Sequence, residues 1–232
     1  MNEVLNDTFV STSFLGIAPE KEEWFFREIK KYRATLAHAD VVERGFVNRE
    51  VESTSMAEFC RLALMADPLY LDVHLMVNNP LPWIKLIVEK IMPKIAYPPF
   101  VSVHPEARIF NQPLLRLIKD ERARPGIAIK PQTPVEAIEE YLSLIELVIV
   151  MTVEPGISGQ PMIKSCLNKV KTLADMRAKN KYSFLIGVDG GIDNLTGQLA
   201  VNKRANILIS GGYVQQLPFR IEALRALKKT SQ

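Results

Sequence analysis

Histidine and cysteine are scarce in this sequence, with three of the first and two of the second among 232 residues. The two cysteines, Cys60 and Cys166, fall in helical-looking segments without a CxxC spacing, so no disulfide framework is implied and both read as buried or half-buried thiols. A basic stripe is also missing. The 29 Lys and Arg residues and 26 Asp and Glu residues are interspersed and leave a formal net charge of +3, which sets nucleic acid aside as a partner. No segment is apolar for the length of a membrane span. The opening stretch, Met1 to Thr8, carries Glu3 and Asp7 where a signal peptide has a basic region and an apolar run, so the expected location is the cytoplasm. No linker rich in proline or glycine divides the chain, and residues 1–232 read as one domain.

What is present is enough apolar side chain for a large core, 47% hydrophobic against 24% charged residues. Short runs rich in β-branched residues alternate with longer amphipathic runs throughout. The pattern predicts strands over Phe9–Leu15, Thr35–Val42, Tyr70–Val77, Phe100–His104, Gly126–Lys130, Leu147–Val153, Phe184–Asp189 and Asn206–Ser210. Helices are predicted over Glu20–Arg33, Ser55–Met65, Leu81–Met92, Gln112–Glu121, Pro134–Ser143, Pro161–Lys179, Asn194–Asn202 and Pro218–Lys228. Thr133 before Pro134 fits an N-cap with proline at the first helical position, and Ser53 or Ser55 before Glu58 fits a capping box. Strict alternation demands parallel strands with crossover helices, and eight units point to a closed α/β barrel, (β/α)8. An open doubly wound sheet is the alternative, but Leu15-Gly16-Ile17 is no glycine fingerprint for one.

Barrel chemistry sits at the C-terminal ends of the strands, and all three histidines, His38, His74 and His104, fall at or near such ends. His38 and Asp40 are two apart in one strand and so share a face. His74 lies on the next strand, and Asp189 ends an apolar run before Gly190-Gly191. Imidazole with carboxylate suits one divalent zinc, iron, cobalt or manganese ion. A single histidine at a strand end is ordinarily a hydrogen-bonded rim residue; the four together argue otherwise, because unpaired inward aspartates are costly. Asp72 is as compatible with a structural ion pair as with the site. Glycines cluster after the last three strands, at Gly156 and Gly159, Gly190 and Gly191, and Gly211 and Gly212 beside Ser210. Each pair alone is a tight turn; all three favour an anion site for phosphate.

At these residues the chain resembles ribulose-phosphate 3-epimerase and related ketose-phosphate 3-epimerases over nearly its whole length. The likeness is carried by Ser13-Phe14-Leu15, His38-Ala39-Asp40-Val41-Val42, Asp72-Val73-His74-Leu75-Met76-Val77, Gly126 to Pro131, Val150 to Gly156 and Val188 to Ile192. It implies a TIM barrel of the ribulose-phosphate-binding type, with a metal held by His38, Asp40, His74 and Asp189. It further implies that Asp40 and Asp189 act as acid and base on opposite faces of C3, through a metal-stabilised 2,3-enediolate. Ser13, His74, Met76, Met151, Gly156, Ser158, Gly159, Gly190, Gly191, Ser210, Gly211 and Gly212 would contact the sugar phosphate. Homo-oligomers are implied as well. Departures from the family pattern are Val42 in place of a methionine, Arg44 in place of a glycine, Ile157-Ser158 in the loop after the sixth strand, and Tyr213 in place of a small residue. They leave the implied ligands intact and open the choice between D-ribulose 5-phosphate and a six-carbon ketose phosphate such as allulose 6-phosphate. Two rivals stand beside this reading: a Schiff-base barrel using Lys130, and a non-catalytic sugar-phosphate-binding relative.

Overall fold

Parallel strands buried on both faces should read as near-continuous apolar runs, and β6 (Leu147–Met151) does so with all five residues buried. In the computed structural model, which describes residues 8–47, 52–156, 159–216 and 218–227, it is one of eight. The others are β1 (Phe9–Ser13), β2 (Leu36–Val42), β3 (Tyr70–Met76), β4 (Phe100–Val103), β5 (Arg124–Ile129), β7 (Leu185–Asp189) and β8 (Ile207–Ser210). They pair in parallel in chain order and β8 returns to β1, closing the barrel. The expected fold class is therefore the one observed.

Alternation sorts each strand's side chains between two cores. Outward residues such as Val148 and Val150 join the large shell under the helices, whereas Leu147 and Ile149 pack inside the barrel with Leu36, Phe100, Ala128, Ile207 and Ile209. Going up the interior, this apolar floor gives way to buried polar groups, Ser11, His38, Asp72, Ser102, His74 and His104. A small apolar rim of Val42, Phe46, Val47, Met76, Ala107 and Met151 surrounds them at the top. Burying polar groups is costly unless they are hydrogen-bonded, so this layer marks where function overrides packing.

The crossover segments depart from ideal helices. α1 (Glu22–Lys31) buries Phe25, Phe26 and Ile29 and is preceded by a 3-10 turn at Pro19–Lys21. α2 (Met56–Met65) starts at Ser55, whose side chain accepts from the Glu58 N–H, so of the two expected caps Ser55 is the one used. Ser53 instead accepts from the Arg44 N–H at 3.1 Å. The predicted helix over Leu81–Met92 is α3 (Leu81–Leu86), a π turn (Ile87–Ile91) and a 3-10 turn (Met92–Lys94); Pro93 has no N–H to carry an α ladder further. α4 (Gln112–Asp120) is capped by Asn111.

After β5 the expected helix is only a 3-10 stretch, Val135–Tyr141, whose cap position is Pro134 without a side-chain bond. Thr133 does not cap it, because its hydroxyl donates to Glu106. Residues 161–163 lie outside any helix, with the Ile163 N–H on the Thr152 carbonyl at 2.7 Å, so helix begins at a 3-10 turn (Lys164–Cys166) and α5 (Leu167–Asn180). α6 (Asn194–Asn202) carries a full capping box between Asp193 and Thr196. The last expected helix is two short ones, α7 (Gly212–Gln216) and α8 (Arg220–Arg225), with Pro218 between them; Lys228 lies outside the described residues.

Candidate metal centre and active site

The parallel register places Ser13 beside His38, Asp40 beside His74 and Met151 beside Asp189. Alternation then turns Asp40, His74 and Asp189 inward at the mouth from β2, β3 and β7. His38 sits one inward step below Asp40. One ligand atom from each of His38, Asp40, His74 and Asp189 lies within 4.8 Å of all the others. Asp40 Oδ1 is 3.1 Å from His38 Nε2 and 3.2 Å from His74 Nδ1. Asp189 Oδ2 is 4.0 Å from His38 Nε2 and 3.7 Å from His74 Nδ1. Four ligands about 2.0–2.1 Å from a zinc-sized ion in a tetrahedron stand about 3.3–3.4 Å apart, and the four separations straddle that value. An N2O2 donor set of this size fits one divalent ion.

Partners behind the set fix its orientation. His38 Nδ1 is 2.7 Å from Asp72 Oδ2, which also accepts from Ser11 Oγ, so Asp72 is an ion-pair partner of a ligand and lies outside the ligand group. Ser13 Oγ donates to Asp40 Oδ2 at 2.8 Å, leaving Oδ1 to face the histidines.

Electrostatics separate the two carboxylates. Burial favours the neutral acid in both. At Asp40 that effect is outweighed by the charge and hydrogen bonds of His38 and by those of His74, which hold the carboxyl far below its ordinary range. At Asp189 burial prevails, and with the Asp40 and Asp72 charges it raises the pKa to about 6 against the pull of His38 and His74. Burial works against a charged His38, but Asp40 and Asp72 outweigh it and lift its pKa well above that of a free imidazole. The cluster as a whole attracts positive charge.

Above it opens a cavity of ≈ 550 Å³. Ser13, Asp40, Met76, Met151, Gly156, Gly159, Asp189, Gly190, Gly191, Gly211 and Gly212, all singled out in the sequence, line it. His38 and His74 lie beneath it, fully buried. Ser210 does not line it: its hydroxyl donates to the Ile192 carbonyl at 3.0 Å, tying the β7 loop to β8. Ser158 lies outside the described residues. Gly190 and Gly191 are also demanded by packing. A Cβ on Gly190 would stand 2.5 Å from Val153 Cγ2, and one on Gly191 would stand 2.6 Å from Met162 N. Lys130 is absent from the cavity wall; its ammonium lies 3.9 Å from the centre of the Phe46 ring and 3.4 Å from the Phe46 carbonyl.

Sequence reasoning missed part of the wall. Lys164, Gln216 and Arg220 line the cavity together with Tyr213. Arg220 donates to the Tyr213 carbonyl at 3.2 Å, and its guanidinium lies 4.3 Å from the centre of the Tyr213 ring. The available signal was a cation at a helix start, where the dipole disfavours it. His104 was noticed as a strand-end histidine but given no role. It is fully buried against His74 and Glu106.

Barrel and site together define an enzyme-type (β/α)8 scaffold with two histidines and two carboxylates that could hold a metal at its C-terminal mouth. The sequence model of the ribulose-phosphate 3 epimerase family matches residues 9–215. The chain is 38% identical to ribulose-phosphate 3-epimerase of Treponema pallidum (strain Nichols) over 183 residues, 79% of this chain and 80% of that one. It is 32% identical to ribulose-phosphate 3-epimerase of Bacillus subtilis (strain 168) over 222 residues, 95% and 96% of the two chains. Among solved structures, tryptophan synthase subunit alpha from Legionella pneumophila superposes with a TM-score of 0.61 at 12% identity, covering 97% of this chain and 94% of that one, a likeness of fold alone. The chain belongs to the ribulose-phosphate 3-epimerase family and is an isomerase. No helix among the described residues is long and apolar enough to cross a membrane.

Proposed function

We propose that the chain, as one barrel domain, inverts C3 of a ketose phosphate, with D-ribulose 5-phosphate and D-xylulose 5-phosphate as the default pair. The observation that carries this reading is the meeting of Asp40 and Asp189 beneath one cavity, in a group with His38 and His74 whose ligand atoms lie within 4.8 Å of one another. Epimerisation needs a base on one face of the carbon and an acid on the other, and two carboxylates pushed apart in pKa supply both. Asp40, ionised and held by Ser13, removes the C3 proton; Asp189, protonated, returns one to the opposite face. In the reverse direction they exchange roles.

A divalent ion held by His38, Asp40, His74 and Asp189 supplies positive charge for the oxyanion that develops when a weakly acidic C–H beside a carbonyl is broken. Met76, Met151 and the rim around Val42 exclude water from that charge. The phosphate is proposed to lie against the backbone at Gly156, Gly159, Gly190, Gly191, Gly211 and Gly212, with Ser158. A six-carbon ketose phosphate is the second reading, because Tyr213 and Arg220 alter the wall around the substrate. A site on a cytoplasmic homo-oligomer is the accompanying expectation from the family.

The test is exchange of the C3 proton with deuterated water, followed by NMR on metal-reconstituted protein with a panel of ketose phosphates. Wild type should exchange and invert one of them, and Asp40→Asn and Asp189→Asn should each lose about 10²–10⁴-fold in rate. Absence of exchange with every sugar would turn the assignment to a binding protein, and a borohydride-trapped adduct at Lys130 would turn it to Schiff-base chemistry.

A further inference from the structure

The buried histidine that the acid/base scheme leaves unused is His104, and its contacts form a chain from the molecule's flank to the ligand set. His104 Nδ1 is 3.0 Å from Glu106 Oε2, and His104 Nε2 is 2.8 Å from His74 Nε2. The rings lie 5.0 Å apart at 26°. Glu106 is anchored in turn: its other oxygen accepts from the Lys130 N–H at 3.0 Å and from the Thr133 hydroxyl.

With a cation in place of a proton between His74 Nδ1 and Asp40, hydrogen-bond accounting leaves one arrangement. An ionised carboxylate has no proton to give, so His104 Nδ1 must carry the hydrogen that Glu106 accepts. A neutral His104 then has a lone pair on Nε2. Two nitrogens 2.8 Å apart need one proton between them, so His74 must donate it from Nε2. A neutral His74 protonated there has its lone pair on Nδ1, the atom 3.2 Å from Asp40 Oδ1 and 3.7 Å from Asp189 Oδ2. We propose that Glu106 and His104 are positioning residues which, through the Glu106–His104–His74 hydrogen-bond chain, fix the His74 tautomer that aims Nδ1 at the metal set. His38 has a carboxylate directly behind it in Asp72; His74 receives the same service through an intervening imidazole.

This rests on the metal-site reading, but its first test needs no turnover. Histidine 15N–1H NMR of Zn²⁺-loaded wild type near neutral pH should show His74 as the Nε2–H tautomer and His104 as the Nδ1–H tautomer. The opposite assignment at either ring overturns the proposal. The second test is titration of metal-free protein with Co²⁺, read by its visible absorption. Glu106→Ala should weaken Co²⁺ binding about 10–100-fold, and Glu106→Gln, which keeps an acceptor oxygen, should restore most of it. Folded Glu106→Ala with wild-type affinity overturns it. If Glu106→Ala does not fold, Glu106→Gln and the wild-type spectrum decide. Failure of proton exchange with every sugar, with these tautomers in place, would defeat the epimerase reading and leave the relay standing.

Discussion

Asp189 is the residue on which acid/base assignment and stability meet. Its pKa is raised from an ordinary 3.8 to about 6, first by burial and then by the neighbouring carboxylates. A raised carboxyl pKa favours folding fully below the unfolded value, and that contribution is lost as pH climbs through the folded value. In the metal-free protein, Asp189→Asn should match wild type in stability near pH 3.5 and exceed it at pH 8 by on the order of 2 kcal/mol. Urea unfolding across that range checks this, and a constant difference would show that Asp189 does not titrate in the window. Much of this site was legible residue by residue, because histidine and aspartate stand out in strands otherwise made of valine, isoleucine and leucine. The sorting of Asp40 from Asp72 was not. Both are inward carboxylates, and only the register that sets His38 beside Asp72 and Asp40 beside His74 shows which one backs a ligand and which one is a ligand.

At the scale of elements, the strands were legible from their periodicity to within a few residues, whereas the crossover segments were not. Val135–Tyr141 has helical spacing but closes into a 3-10 stretch, and Thr133, a good cap by type, is taken by Glu106. Tertiary contacts outbid local propensity there. The same loop is held from the other side by Lys169, whose ammonium donates to the carbonyls of Lys130, Pro131 and Thr133 at 3.0, 2.8 and 2.6 Å. Between β4 and β5 the fit is close: a Cβ on Gly126 would collide with Ser102 Oγ. That hydroxyl is buried and finds no hydrogen-bond partner among the described residues. Gly126→Ala should therefore cost about 1–3 kcal/mol by overpacking, Ser102→Ala should be near neutral, and the double variant should recover part of the loss. A double-mutant cycle by chemical denaturation reads the coupling, expected at about 1 kcal/mol; strict additivity would mean that Gly126 answers to some other constraint.

Across the whole molecule, eight alternating units made the barrel legible, but closure is a property of all eight strands at once. It is closure that carries β7 round to within ligand distance of β2 and β3. The four ligands consequently span the ring, and an ion bound by them ties opposite walls together. Binding to the folded state alone stabilises it by about 2.7 kcal/mol at a free metal concentration 100 times Kd. For a chain of this length that raises Tm by about 5–10 °C. Chelation should lower the melting temperature of the reconstituted protein by that amount, and Zn²⁺ or Co²⁺ should restore it. His38→Gln removes a ligand from one wall and Asp189→Asn from the other, so each should abolish most of the shift, although their own unfolding temperatures without metal differ. A full shift surviving in both variants would put the binding elsewhere and separate the barrel's stability from its catalytic mouth.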